Sequence, residues 1–133
     1  MQINHKFHCA YSLSYHFVFV TKYRKAVLDA VALRLMSTVI EELAERWEGE
    51  LLEFNGESDH VHVLISLPPK AAPSVVANNL KTVTSRLLRK QCSSIRNAYR
   101  DPVLWSRSYF VTTCGGAPLE VIKRYIQQQN SPA

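Results

Sequence analysis

Eight residues, His60-Val61-His62-Val63-Leu64-Ile65-Ser66-Leu67, alternate in a way that only an extended chain can use. As a strand, they put Val61, Val63, Ile65 and Leu67 on one face and His60, His62, Leu64 and Ser66 on the other. The aliphatic face has to be covered, and helices are the layer that covers one face of an antiparallel sheet. A second run, Ser14 to Val20 (SYHFVFV), is aromatic and β-branched, apolar on both faces, and so predicts a buried central strand.

The remaining elements follow from punctuation and period. Asp29 is a candidate N-cap for a helix to about Trp47, with Val31, Leu35, Val39, Leu43 and Trp47 at roughly helical spacing and Glu41, Glu45 and Glu48 on the other face. Gly49 is expected to end it. Glu50 to Asn55 and His60 to Leu67 then form a hairpin around Gly56-Glu57-Ser58-Asp59. After Pro68-Pro69 and Pro73, Ser74 is a candidate cap for a second helix to about Lys90, with Val76, Leu80, Val83 and Leu87 on one side. Lys81, Arg86, Arg89 and Lys90 fall mostly on its opposite side. A strand region from Leu104 to Thr113, bent near Ser106 to Ser108, precedes Gly115-Gly116 and a last helix from Pro118 or Leu119 to about Gln129. The order β-α-β-β-α-β-α predicts an α+β fold, a ferredoxin-like antiparallel sheet with helices on one face and an added C-terminal helix.

The chain's 133 residues, 47% of them hydrophobic, are expected to make a single domain over 1–133 with a core that needs no disulfide or metal. Asp29 and Arg34 interrupt the longest apolar candidate for a membrane span, and no signal-like core opens the chain. Cys9, Cys92 and Cys114 are odd in number and far apart, which predicts free thiols in a reducing, cytoplasmic setting. His5, His8 and Cys9 lack a fourth nearby ligand for zinc. Charge is segregated within a net +5: most acids lie between Glu41 and Asp59, whereas Lys70 to Arg107 holds eight basic residues and one acid, Asp101. Such a balance favours a polyanionic partner.

Three groups of residues carry chemistry. His60 and His62, two apart on one strand face, read either as polar side chains on a half-exposed surface or as a pair able to bind one divalent ion. Tyr125 and Gln129, four apart on the last helix, project together; the tyrosine is either a packed ring with its hydroxyl in water or a nucleophile beside an amide ligand. Lys22, Arg24 and Lys25 after the first strand, with Lys81, Arg86, Arg89 and Lys90, are either solvated cations or contacts to nucleic-acid phosphates. Tyr23, Tyr99, Trp105 and Tyr109 are candidates for stacking on unpaired bases, with Trp105 better suited to a core. His16 faces with Val18 and Val20 and is expected to be a hydrogen-bonded core histidine.

From Tyr15 to Gln129 the text YHFVFVTKYRKAVL, DHVHVLISLPP, NNLKTVTSRLL, LWSRSYFV and RYIQQQ resembles the single-tyrosine transposases of small bacterial insertion sequences, the IS200-like family. His60-Val61-His62 is the HUH signature of single-strand nucleases. Joined in order to Lys22-Tyr23-Arg24, Leu104-Trp105 and Tyr125-x-x-x-Gln129 it is specific to that family. The resemblance implies that His60, His62 and Gln129 bind Mg²⁺ or Mn²⁺ and that Tyr125 attacks single-stranded, hairpin-bearing DNA to give a 5′-phosphotyrosine and a free 3′-OH. Gln128 is a substitute ligand at a poorer angle. It also implies a homodimer in which the tyrosine helix of one subunit serves the histidines of the other, with Gly115-Gly116 as tether. No nucleotide cofactor is expected, since no Gly-x-x-x-x-Gly-Lys loop is present. A histidine-triad hydrolase would need a histidine where Leu64 stands, a two-histidine phosphoesterase would need His-x-Ser/Thr motifs, and a carboxylate-dependent transposase would need dispersed acids on a larger fold. Two alternatives remain: a domesticated nuclease acting on chromosomal repeat hairpins, and a module that binds single strands without cutting.

Overall fold

The computed structural model describes residues 13–114 and positions 121, 124, 127 and 128. Four strands, β1 (Leu13–Thr21), β2 (Glu50–Gly56), β3 (His60–Leu67) and β4 (Trp105–Thr113), form one antiparallel sheet in the order β2-β3-β1-β4. The helices are α1 (Ala30–Arg46), α2 (Pro73–Gln91) and the single turn α3 (Ser93–Arg96). β1 and β2 flank β3, which makes the split β-α-β arrangement of a ferredoxin-like α+β fold. Val121, Arg124, Gln127 and Gln128 are helical and exposed. Among the described residues no helix is long and apolar enough to cross a membrane.

The two central strands, β3 and β1, are buried on both faces, one lined with aliphatic and aromatic side chains and the other carrying the histidines and serines. All eight residues of β3 are buried, as is β1 from Ser14 to Val18 and at Phe19 and Thr21. Tyr15, Phe17 and Phe19 join Val61, Val63, Ile65 and Leu67 in a core completed by Met36 and Ile40 of α1, Val76 and Leu80 of α2, and Ile95 of α3. Each fully buried side chain of this size contributes about 1.5–3 kcal/mol. The helices therefore cover the odd-numbered face, leaving His60, His62, Leu64 and Ser66, with Ser14, His16 and Val18, on the face behind it.

Several local expectations change in detail. Asp29 caps α1, its carboxylate accepting from the Ala32 N–H at 2.8 Å. The buried stripe of α1 is Ala32, Met36, Val39, Ile40, Leu43 and Ala44, rotated from the expected one, and Val31 is exposed. Alanines in that stripe let the helix approach the sheet closely, which a stripe of large residues alone does not predict. Glu48 takes the left-handed turn (φ 61°) after α1, and Gly49 is needed for a different reason: a Cβ there would stand 2.1 Å from the Ser66 carbonyl oxygen. α2 starts two residues earlier than expected, with Ala72 as N-cap and Pro73 in the first turn, so Ser74 is not the cap. Its buried face is Val76, Ala77, Leu80, Thr84 and Leu88, while Val83 and Leu87 are half-buried. The bend expected in β4 is a register shift against β1 between the Phe19–Tyr109 and Thr21–Trp105 pairs. Cys92 and Cys114 are free thiols, while Cys9 lies outside the described residues, with His5 and His8.

Candidate active site

The site is built on β3 where it pairs with β1 and β2. Register sets Val20 opposite His60 and both Val18 and Asn55 opposite His62, while His16 faces Leu64, one diagonal step from His62. The two imidazoles of β3 meet edge-on, ring centroids 5.2 Å apart, and both are almost fully buried. The half-exposed strand face is thereby excluded.

Each imidazole is held through its Nδ1. His60 Nδ1 is 2.8 Å from Asp59 Oδ1, and the other carboxylate oxygen of Asp59 accepts from Arg24 Nε at 3.3 Å and lies 3.2 Å from its terminal nitrogen. Burial alone would raise the Asp59 pKa, but the His60 hydrogen bond and the Arg24 charge outweigh it and hold the carboxyl below its usual range. An ionised carboxylate only accepts, so the proton sits on His60 Nδ1 and the lone pair on Nε2. His60 Nε2 is buried and has no hydrogen-bond partner among the described residues. His62 Nδ1 is 2.9 Å from His16 Nε2, the rings nearly parallel with centroids 5.1 Å apart. Burial, then the neighbouring His62, pulls the His16 pKa down to about 4, so His16 is neutral at physiological pH. Across from His62, Asn55 carries a buried Nδ2 that also has no partner among the described residues.

Arg24 reaches this site from a strained turn. Tyr23 (φ 60°, ψ 16°) and Arg24 (φ 52°) both occupy left-handed backbone, at a cost of about 1–2 kcal/mol each for a residue with a Cβ. The turn is clamped by Lys22 N–H to the Leu104 carbonyl (2.8 Å), Tyr99 hydroxyl to the Lys22 carbonyl (2.9 Å) and Thr21 hydroxyl to the Lys25 carbonyl (2.8 Å).

Of the residues singled out from sequence, His60, His62 and Arg24 are thus brought together. Tyr125 and Gln129 lie outside the described residues, and Gln128 is helical and exposed. Among the described residues no group of three or more His, Cys, Asp or Glu side chains is placed to hold a metal ion. The Lys25 ammonium donates to the Ala98 carbonyl at 2.6 Å, and that of Lys81 donates to the Ser106 and Arg107 carbonyls at 2.8 and 3.1 Å. Arg86 and Lys90 are exposed and Arg89 half-buried, bonded to Ser85. All four α2 cations belong to the helix layer, on the other side of the sheet from the imidazoles. Sequence reading did not assign two participants to the site. Asp59 was legible as the carboxylate next to His60; His16 is buried and hydrogen-bonded as expected, but its partner was not legible, because it and His62 are 46 residues apart and meet only through strand pairing.

Comparison with known proteins gives this geometry a family. The sequence profile of the family described as "Transposase IS200 like" matches residues 9–129. The transposase for insertion sequence element IS200 of Salmonella typhimurium strain LT2 is 31% identical over 122 residues, covering 92% of this chain and 80% of that one. The ISDra2 transposase TnpA of Deinococcus radiodurans is 26% identical over 120 residues, covering 90% and 86%. Among solved structures, a candidate transposase from Deinococcus radiodurans R1 superposes with a TM-score of 0.72 at 25% identity over 92% of this chain and 94% of that one. A REP-associated tyrosine transposase bound to a REP hairpin shares the fold, with a TM-score of 0.60 at 10% identity over 86% and 62%. The chain belongs to the IS200-like transposase family and is a DNA transposase.

Proposed function

We propose that this transposase cuts and rejoins single-stranded DNA through a covalent 5′-phosphotyrosine on Tyr125, assisted by Mg²⁺ or Mn²⁺ held by His60, His62 and Gln129. The observation that carries the reading is the buried imidazole pair, in which Asp59 fixes the tautomer of His60 so that an unshared lone pair on Nε2 faces the site. That donor set fits a divalent ion, with Gln129 as the neutral third ligand four residues from the nucleophile. When bound, the ion polarises the non-bridging oxygens of the scissile phosphate and offsets charge on the departing 3′ oxygen.

The chain's own groups do the rest. A phenol with a pKa near 10 is protonated at neutral pH and needs an activated phosphorus to attack. The Tyr125 oxygen loses its proton and bonds to phosphorus; the P–O3′ bond breaks and the 3′ oxygen takes up a proton. Phosphodiester energy is kept in the tyrosyl link, so rejoining needs no nucleotide cofactor. Asn55 Nδ2 offers a hydrogen bond to a phosphate oxygen beside His62, and Lys22, Arg24 and Lys25 neutralise phosphates of the approaching strand. The related fold solved with a REP hairpin supports a hairpin-bearing single strand as substrate. A homodimer, with two sites for two DNA ends, completes the reading.

The test is a set of variants on a hairpin-bearing single strand. Tyr125→Phe is expected to abolish cleavage and the covalent adduct on denaturing gels while leaving hairpin binding intact. His60→Ala, His62→Ala or EDTA is expected to abolish cleavage, and Gln129→Ala to weaken it less, since water can occupy a neutral amide's place. Adduct formation by Tyr125→Phe, or cleavage by wild type in EDTA, would contradict the assignment.

A further inference from the structure

Four aromatic residues are candidates from the sequence for stacking on unpaired bases, and the structure separates one from the rest. Tyr99 and Trp105 are buried, the first bonded to the Lys22 carbonyl and the second to the Thr84 hydroxyl. Tyr109 is half-buried with its ring edge-on to Phe19 and the Lys81 ammonium over it. Tyr23 alone is open, with 78% of its surface exposed. Among the described residues its ring interacts with the Lys22 ammonium, 5.5 Å from the centroid, and buries nothing in the core.

An exposed tyrosine is ordinary; an exposed tyrosine in this backbone is not. The turn from Lys22 to Lys25, closed by the Lys25 N–H on the Lys22 carbonyl, has positive φ at both central residues, a geometry that favours Asn-Gly. Tyr and Arg stand there instead. Arg24 has its explanation in the ion pair with Asp59, which orients His60. Tyr23 has none among the described residues, although its strain is maintained by three separate hydrogen bonds that clamp the flanking residues. Strain held in place at a site's edge points to a role in binding. The turn is also flanked by cations, Lys22, Arg24 and Lys25, which match phosphates on either side of a base.

We propose that Tyr23 is a base-stacking residue: an unpaired nucleobase of the DNA strand lies on its ring while a neighbouring phosphate of the same strand reaches the His60–His62 site. The inference rests on the single-strand reading above and adds the contact by which a single strand is told from a duplex. Stacking needs a base whose face is free, which duplex DNA does not offer.

Tyr23→Asn tests it with two readouts of opposite sign. Asparagine accepts left-handed backbone and leaves every cation in place. The variant is expected to melt a few degrees higher than wild type. It is also expected to bind a fluorescein-labelled single-stranded oligonucleotide of mixed sequence about tenfold more weakly by fluorescence anisotropy, with duplex binding and salt dependence unchanged. Tyr23→Phe, which keeps the ring, should bind as wild type. Single-strand affinity unchanged in Tyr23→Asn would overturn the proposal, as would an equal loss in Tyr23→Phe, which would assign the contact to the hydroxyl. Wild type that prefers duplex would instead overturn the single-strand reading, and this inference with it; the two failures are distinguished by the wild-type measurement alone.

Discussion

At the scale of single residues, the proton between His16 and His62 is the least conspicuous part of the site and one of the most consequential. Two imidazoles joined Nε2 to Nδ1 share one hydrogen, so one donates and the other accepts. Only when His62 Nδ1–H donates to His16 does His62 Nε2 keep the lone pair a metal needs. Metal binding by His62, as proposed, therefore calls for His16 as a neutral acceptor, and burial keeps it neutral. His16→Leu is expected to weaken Mn²⁺ binding by about ten- to a hundredfold in calorimetric titration, with part of the affinity regained in His16→Gln. The same residue sets a pH signature in metal-free protein. Its pKa is about 4 when folded and 6.5 when unfolded, so the unfolded chain binds more protons between those values. Stability is full above pH 6.5 and falls as pH drops toward 4, by at most about 3 kcal/mol. Urea unfolding in EDTA across this window should be steeper for wild type than for His16→Leu; parallel profiles would show that His16 is not held neutral.

At the scale of elements, the sheet separates cations that the sequence offers as one set of phosphate contacts. Arg24 is wired through Asp59 to His60, whereas Arg86, Arg89 and Lys90 ride on α2 in the layer behind. Arg86→Ala/Lys90→Ala is accordingly expected to lower single-strand affinity and flatten its log–log salt slope by about 1.4, without changing the cleavage rate of bound DNA. Arg24→Ala should slow cleavage at saturating DNA. Equal effects on the rate would mean that α2 lies closer to the reaction than its layer indicates. Strand identity was the most legible feature because a period of two is unambiguous: β3 and the interior place of β1 follow directly from alternation and two-sided apolarity. Helix facing was less legible, since Ala32, Ala44 and Ala77 look unremarkable beside Val31 and Val83 until the sheet's approach is known. α3 is too short to carry a period at all. The His16 contact depends on which strands become neighbours, and no local pattern encodes that.

At the scale of the whole molecule, the proposed mechanism draws its groups from two separate stretches of the chain. His16, Arg24, Asp59, His60 and His62 lie in its first half, and the proposed nucleophile Tyr125 and ligand Gln129 in its last ten residues. A site divided in this way can be completed by either copy in a dimer, and a transposase has a reason to use the partner's. Two DNA ends must be cut and exchanged, and a tyrosine that carries a strand from one histidine pair to another performs the exchange. A tyrosine confined to its own subunit's histidines would reseal the same end unless the DNA itself moved between subunits. Mixing Tyr125→Phe protein with His60→Ala/His62→Ala protein separates these arrangements. If the sites are shared, each heterodimer holds one complete site, intact histidines from the first chain and an intact tyrosine from the second, and cleavage is expected although neither parent cuts alone. Adduct should then appear only on the His60→Ala/His62→Ala chain, which a size tag on one partner would reveal on a denaturing gel. If subunit exchange is verified by that tag and no cleavage follows, each tyrosine serves its own histidines, and strand exchange must proceed by movement of the DNA between subunits.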